Sequence, residues 1–351
     1  MIILGVGIVI GLLGSARSSR YTAEVSRHSK WKPPNGHQMD CGLKRFKGST
    51  LKLTHSQAFA NLFGTSRLQV YEASDVGGHP NGDGIYTVFD NSFLISRNTQ
   101  TLGNYSQKKA AKADELLEWD GEQTMESSFE FITYNESAGN YVVGKEAIEH
   151  EGSIRSQTFD VSFGDGKTSV GEKCDVEFEF THGNKGFEGA AVVKGSSGRS
   201  FLLGLCEGNH CVGGHKGKES GHGRIVVMER TYSEGRCTFK TVNIAHLPRH
   251  VDFQDYSAMA LWNGSTIGIT SQENAALFVG EFSVGEDNVK VGSGRVYDFP
   301  RTDSCEIEFC NVEGVYFLEA KLVVLVSDSM KKKQPFRCRR RDESMHVMVM
   351  P

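Results

Sequence analysis

Ser74, Glu130, Glu188, Ser257 and Glu313 recur about 56 to 69 residues apart, each at the start of a short apolar segment. If those segments are copies of one unit, three carboxyls and two hydroxyls are carried to equivalent places. Three like charges held close together cannot all stay ionised, because each raises the pKa of the others. A bound cation removes the conflict. Oxygen donors alone, with no Cys or His among them, select a hard ion. Ca2+, which takes about 6 to 8 oxygen ligands in tolerant geometry, suits the set better than zinc or a dedicated magnesium cage. A water-filled polar channel of protonated or hydrated acids would use the same residues without an ion, and anchors aligned out of register would give neither.

A second set, Asp90, Glu146, Glu207, Glu273 and Asp328, follows those anchors by about 15 to 19 residues. In "FEGAAVVKGSSGRSFLLGLCEGN", from Phe187, two apolar strands carry an acid at each outer end. A hairpin leaves one end of a sheet and returns to it, so anchor and acid share that end. The five returning acids are the pool from which a general base would come. Lys145, beside Glu146, reads either as an ion-paired structural lysine or as a phosphate ligand.

Two long loops follow returning acids. "SMKKKQPFRCRRRDES" holds seven basic residues between Lys331 and Arg341. It is either a solvated loop, or a lid in which groups such as Arg337 and Arg339 lean over the mouth and hold an anion. "GNHCVGGHKGKESGHG", Gly208 to Gly223, allows zinc ligation by some of Cys206, His210, Cys211, His215 and His222, or a Cys206/Cys211 staple with exposed histidines. Motifs of the G-x-S-x-G, H-E-x-x-H and G-x-x-x-x-G-K-[ST] kinds are absent. His150, His182 and His250 stand alone in the sequence and suggest surface or hydrogen-bonded roles.

The elements that would position these residues are strands. The chain has 351 residues, 38% of them hydrophobic, with 40 Gly and only 7 Pro, and its apolar runs are short and separated by turn residues. Each hairpin is followed by further strand-like stretches, such as "SIRSQTFDVSF" and "KCDVEFEF" or "ALFVGEF" and "SGRVYDF". The last unit has a third strand, "MHVMVMP", and "STLKLTH" near residue 50 is available as its fourth. The expected fold is therefore an all-β, five-bladed β-propeller of four-stranded blades, closed by an N-terminal strand in the last blade. An irregular unit missed in the count would make six.

Residues 1–16 carry an uncharged apolar run, Ile2 to Leu13, shorter than a bilayer span and suited to a secretory signal or short membrane anchor. Residues 17–48 read as a stalk or lid, and 49–351 as the propeller. Eight Cys and sequons at Asn104, Asn135 and Asn263 agree with a secretory, extracellular or lumenal protein. Cys206/Cys211 and Cys305/Cys310 share the spacing C-x4-C and are compatible with local staples. A formal charge of only -4 gives no global field for nucleic acid, and membrane contact is expected only through the N-terminus. Lys108, Lys109 and Lys112 read as a solvated face.

The order of anchors, in "EASD", "FEFITY", "FEGAA", "DYSAMAL" and "VEGVYFL", resembles the five-bladed calcium-activated nucleotidases, or apyrases. The resemblance implies that Ser74, Glu130, Glu188, Ser257 and Glu313 lie on successive inner strands around one calcium. "GKEA", Gly144 to Ala147, is similar to the family's Gly-Lys-Glu. Where that family follows its first hairpin with Asp-Arg, this chain has Asp90-Asn91-Ser92, and a neutral Asn cannot replace a bidentate anion clamp. "VEGVYFLEAKLVVLVSDS" is also similar to the repeats of phytase-like, esterase-like propellers. Both resemblances imply a metal-supported phosphoester site. The expected function is either a calcium-dependent hydrolase of a small phosphorylated substrate, or a non-catalytic scaffold with a structural calcium that binds a glycan or protein.

Overall fold

Segments such as "FLLGLC" and "LVVLVS" are apolar at nearly every position, the pattern of a strand covered on both faces. In the computed structural model, which describes residues 49–79, 84–99, 114–123, 127–150, 152–164, 166–183 and 185–351, both faces are indeed covered. Antiparallel pairing groups its strands in fours, five times over, and parallel pairing between outer strands joins the first three of these four-stranded sheets into one continuous twelve-stranded sheet. The N-terminal strand β1 (Lys52–Ala58) is followed by β2 (Ala73–Gly78), β3 (Ile85–Phe89), β4 (Ser92–Asn98) and β5 (Glu115–Glu118), which form the first sheet. The second comprises β6 (Phe129–Asn135), β7 (Asn140–His150), β8 (Ser153–Gly164) and β9 (Lys167–Val176). The third comprises β10 (Phe187–Lys194), β11 (Ser200–Cys206), β12 (Arg224–Ser233) and β13 (Arg236–His246). The fourth is β14 (Ala258–Trp262), β15 (Thr266–Ser271), β16 (Ala276–Val284) and β17 (Val289–Asp298). In the last, β18 (Val312–Glu319), β19 (Leu322–Ser327) and β20 (Ser344–Val349) are completed by β1, paired from Lys52↔Val349 to Ala58↔Ser344. The N-terminal strand thus clasps the ring.

Side chains alternate between the two faces of each strand, and on the inner strands each face packs against a different neighbouring sheet. Leu202 packs with Phe131 and Val142 of the second sheet, whereas Leu203 packs with Ile267 and Phe278 of the fourth. Val323 and Leu325 face the fourth sheet; Val324 and Val326 face Ala73 and Phe89 of the first. Tyr86, Val88 and Ile95 meet Phe129, Ile132 and Val143, closing the remaining interface between the first two sheets. The innermost strands touch in the cyclic order β2, β6, β10, β14, β18 and back to β2. This is a closed β-propeller.

Close approach of inner strands explains the Glu-Gly pairs of the repeat. A Cβ on Gly189 would lie 2.4 Å from Met259 N, and one on Gly314 would lie 2.9 Å from Val76 N. A side chain at either position would push neighbouring blades apart at the axis.

Three disulfides, Cys174–Cys237, Cys206–Cys211 and Cys310–Cys338, are formed among the described residues. The Cys206/Cys211 staple is as expected. A Cys305/Cys310 staple is not formed, because Cys310 joins the second long loop through Cys338, and Cys305 is disulfide-bonded separately. Cys174–Cys237 fastens β9 to β13, which also pair in parallel there, and Arg230 reinforces the seam by holding Asp160 in a bidentate ion pair. No helix among the described residues is long and apolar enough to cross a membrane. Residues 1–48, the Asn104 sequon and Lys108, Lys109 and Lys112 lie outside the described residues.

Candidate functional site

Four of the five anchors share one backbone irregularity. Ala73 pairs with Phe89 and Asp75 with Val88, which leaves Ser74 as an extra residue in β2. The same skip leaves Glu130 between Phe129↔Lys145 and Phe131↔Gly144, Glu188 between Phe187↔Cys206 and Gly189↔Leu205, and Glu313 between Val312↔Ser327 and Gly314↔Val326. A bulge of this kind turns one side chain out of the alternating pattern and re-aims it. Ser257 occupies the matching place ahead of β14, its amide bonded to Thr270 O. Its hydroxyl donates to Val312 O at 2.8 Å and lies 3.2 Å from Thr270 Oγ1, so its proton is committed to neighbouring strands, and an ion would meet only the hydroxyl lone pairs or the main-chain carbonyl of Ser257.

The returning acids stand opposite. The amides of Asp90, Glu146, Glu207 and Asp328 bond to the carbonyls of Glu72, Ser128, Gly186 and Asn311, each two residues before an anchor. At the corresponding position, directly after β15, the chain carries Gln272, and Glu273 lies one residue further on. That slip comes from aligning on the acid rather than on the strand end.

The acids face one another across the ring. Burial pushes the Glu130 carboxyl well above the usual carboxylate range, and the charges of Glu188, Glu146 and Asp90 push it further. Burial also raises the Glu146 carboxyl, and the hydrogen bond it shares with Glu130 offsets part of that rise while lifting Glu130 further. Burial, then Glu207, Glu146 and Glu313, raise Glu188. Glu313 is pushed up to about 8 by burial and by Asp328, against the opposing charge of Lys331. Asp328 is pushed up to about 7, chiefly by burial. Acids from the first, second, third and fifth sheets thus couple at one end of the axis.

Beside the ring opens a cleft of about 410 Å³, lined by Lys185, Glu207, Asp255, Glu273, Lys331 and Arg337 among others. Its walls include both long loops, held by Cys206–Cys211 and Cys310–Cys338. Of the basic loop, Lys331 and Arg337 line this cleft; Arg337 pairs with Glu306 at 3.0 Å and donates to Ile307 O. Arg339 is exposed beside Asp342, and Arg341 pairs with Glu308 and lies over the Phe309 ring. Lys145 lies against the rings of Phe93 and Phe129, and burial lowers its pKa.

Zinc ligation by Cys206 and Cys211 is ruled out by their disulfide. His210 and His222 stack at 4.2 Å, and Glu219 lies 3.2 Å from His210 Nε2. Arg224 donates to His210 Nδ1 at 3.3 Å, placing the ring proton on Nε2, where Glu219 accepts it, and setting a fixed positive charge against any dication there.

Sequence reasoning missed Glu72, Asp255, Asp75 and Lys185. Glu72 adds charge beside Asp328. Asp255 accepts from Ser271 Oγ at 2.5 Å and is pushed up to about 6, mainly by burial. Asp75 is buried, accepts from Ile132 N at 3.0 Å through Oδ2, and has Oδ1 without a hydrogen-bond partner. No residue type repeats at these positions. Lys185 carried no motif, yet it ion-pairs with Glu207.

No protein-family model matches the sequence, and no curated protein does either. Among solved structures, the chain is similar to an oxidoreductase (glucose dehydrogenase) from Thermus thermophilus, with a TM-score of 0.45, 8% identity, 87% of this chain and 100% of that one covered. It is also similar to a soluble aldose sugar dehydrogenase from Escherichia coli, with a TM-score of 0.40, 8% identity, 86% and 99% covered. A xylan β-1,4-xylosidase from Bacillus halodurans follows at 0.44 and 10%, 80% and 53% covered. Likeness at this level carries no argument about activity, and the fold rests on the strand pairing above.

Proposed function

We propose that this propeller binds Ca2+ at the acid end of its inner strands and hydrolyses a small phosphoester in the adjoining cleft. The carrying observation is the set of matching bulges that turn Glu130, Glu188 and Glu313 toward one another and toward the returning acids. Their charges conflict without a cation, and the donor set is oxygen throughout.

In this reading Glu130, Glu188 and Glu313 hold the ion, with main-chain or water-mediated help near Ser74 and Ser257. A bound calcium would supply electrostatic polarisation of a phosphoryl oxygen. The chain's own residues do the rest. Lys185, Lys331 and Arg337 give the cleft positive charge where a phosphate group would rest. Glu207 and Glu273 line it as candidate bases, and Asp328, held near neutrality, can take or return a proton at working pH. Asp90 and Glu146 serve the ring's charge. Arg339, exposed, and Lys145, against aromatic rings, have lesser parts in this account.

The disulfides support work in an oxidising extracellular or lumenal compartment. The sequons at Asn135 and Asn263 adjoin inner hairpin turns, at the strand ends opposite the acids, where glycans would leave the cleft clear.

One observation favours the alternative, a non-catalytic scaffold with structural calcium that binds a glycan or protein. Asn91, where the nucleotidases carry Arg, turns its amide to Val70 O at 3.1 Å. Turnover assays on nucleoside diphosphates, phytate and a generic phosphoester, with calcium and with chelator, separate the two. Calcium-dependent release of phosphate from any of them supports the enzyme; calcium-dependent melting without turnover supports the scaffold.

A further inference from the structure

The acids of the ring are partly answered by cations of the same chain. Lys185, ahead of β10, ion-pairs with Glu207. Lys331, in the loop after β19, lies 3.5 Å from Glu313 Oε1 and 3.4 Å from Gln272 Oε1. It therefore spans two blades, and its contact in the fourth is neutral because Gln272 occupies the place of a returning acid. Both ammonium groups belong to residues that line the cleft.

These lysines differ from the neighbouring arginines in how they are held. Their side chains are 38% and 55% exposed, on flexible four-carbon stems. Arg337 is tied to Glu306 and Ile307 O, and Arg341 to Glu308. The lysines can leave their acids by rotating about side-chain bonds alone, whereas the arginines are fixed in two directions or stacked.

Building on the cation-site reading above, we propose that Lys185 and Lys331 are exchangeable counter-ions: a divalent cation entering the ring takes over Glu313, sets its own charge beside Glu207, and frees both ammonium groups to form a phosphate-binding site in the cleft. Charge balances in the exchange. One dication replaces two monocations beside Glu207 and Glu313, and the two released charges match a phosphate dianion. No covalent bond changes. Cation and anion would then each tighten the other's binding by the same factor, as linkage requires.

The test is calorimetric titration of the full chain with Ca2+ and with inorganic phosphate, both kept below millimolar to avoid precipitation. Phosphate is expected to bind about tenfold tighter in calcium than in chelator, and calcium about tenfold tighter in phosphate. In Lys331→Met, calcium alone should bind at least as tightly as in the native chain, while the mutual enhancement falls below about twofold. Lys331→Arg, which keeps the charge, should retain part of it, and Lys185→Met gives an independent variant should Lys331→Met misfold. Equal phosphate affinity with and without calcium in the native chain overturns the proposal, as does full enhancement in both methionine variants. Failure of the native chain to bind calcium in phosphate-free buffer overturns the cation-site reading and the exchange with it, so the two failures are distinct.

Discussion

His346 and the inner-ring acids are both buried titratable groups in the same propeller, but they are satisfied in opposite ways. His346, fully buried on β20 between the clasp strand β1 and β19, has Nδ1 2.9 Å from Ser56 Oγ. Its Nε2 lies 3.1 Å from Arg341 O and 3.0 Å from Ser327 Oγ. A carbonyl can only accept, so Nε2 carries the proton and Nδ1 accepts from Ser56. Burial holds this pKa down at about 3, and the ring stays neutral. Each nitrogen has a partner from the chain itself. At the inner-strand ends, acids face acids instead, offset among the described residues by Lys185 and Lys331. A buried polar group that serves packing is satisfied locally, whereas a cluster left in conflict marks a place built for something else.

The contrast predicts opposite responses to mutation. His346→Ala strips the partners of Ser56 and Ser327 and leaves a cavity at the clasp, so it should cost about 3 kcal/mol in denaturant unfolding, with or without calcium. A loss that calcium reverses would break the distinction. Glu188→Gln should do the reverse in chelator at about pH 8, adding on the order of 1 kcal/mol by relieving repulsion, while abolishing the rise in melting temperature caused by calcium. Destabilisation in chelator would show that Glu188 is satisfied as it stands.

Acid and base limbs of the stability profile should separate the regions further. Glu313 and Asp328, at about 8 and 7, have folded pKa values above those of free carboxylates, so the stability they contribute is fully present below about pH 4 and is lost progressively as pH rises from there through 7 to 8. His346 runs the other way: its folded value of about 3 lies below the free value of 6.5, so its contribution is present above 6.5 and lost as pH falls. Melting curves in chelator should therefore decline on both sides of a maximum near pH ~4, where free carboxylates titrate, and calcium should flatten the alkaline limb alone. Flattening of the acid limb would mean that calcium acts elsewhere.

The smallest expected effect concerns Lys145. Held against Phe93 and Phe129, it should lose about 0.5 kcal/mol of stability as Lys145→Met and leave calcium affinity within about twofold. A large loss of binding would return it to the site.

Much of this was legible in the chain because inner strands such as β11 and β19 are apolar on both faces and the unit repeats. "STLKLTH" could be placed as the clasp since the last unit lacked a strand, and β1 pairs with β20. The anchors were legible because a carboxyl or hydroxyl stands at the same point in each repeat, four of them as the unpaired residue of a bulge. Contacts that depend on a rotation between sheets were not. Gln272 was passed over for Glu273 because residue type stood in for strand end. Cys310 meets Cys338 only after β18 and β19 have folded back, a closure that local spacing does not encode. Lys185 reaches Glu207 because the segment before β10 lies beside the end of β11.

The central claim is tested most directly by calorimetric titration of calcium into the native chain and into Glu130→Gln, Glu188→Gln and Glu313→Gln. The account predicts one ion per native chain and a loss of at least about tenfold in affinity in every variant, since affinity follows the charge of the ligand set. Absence of binding to the native chain, or variants that bind as tightly as it does, would contradict it.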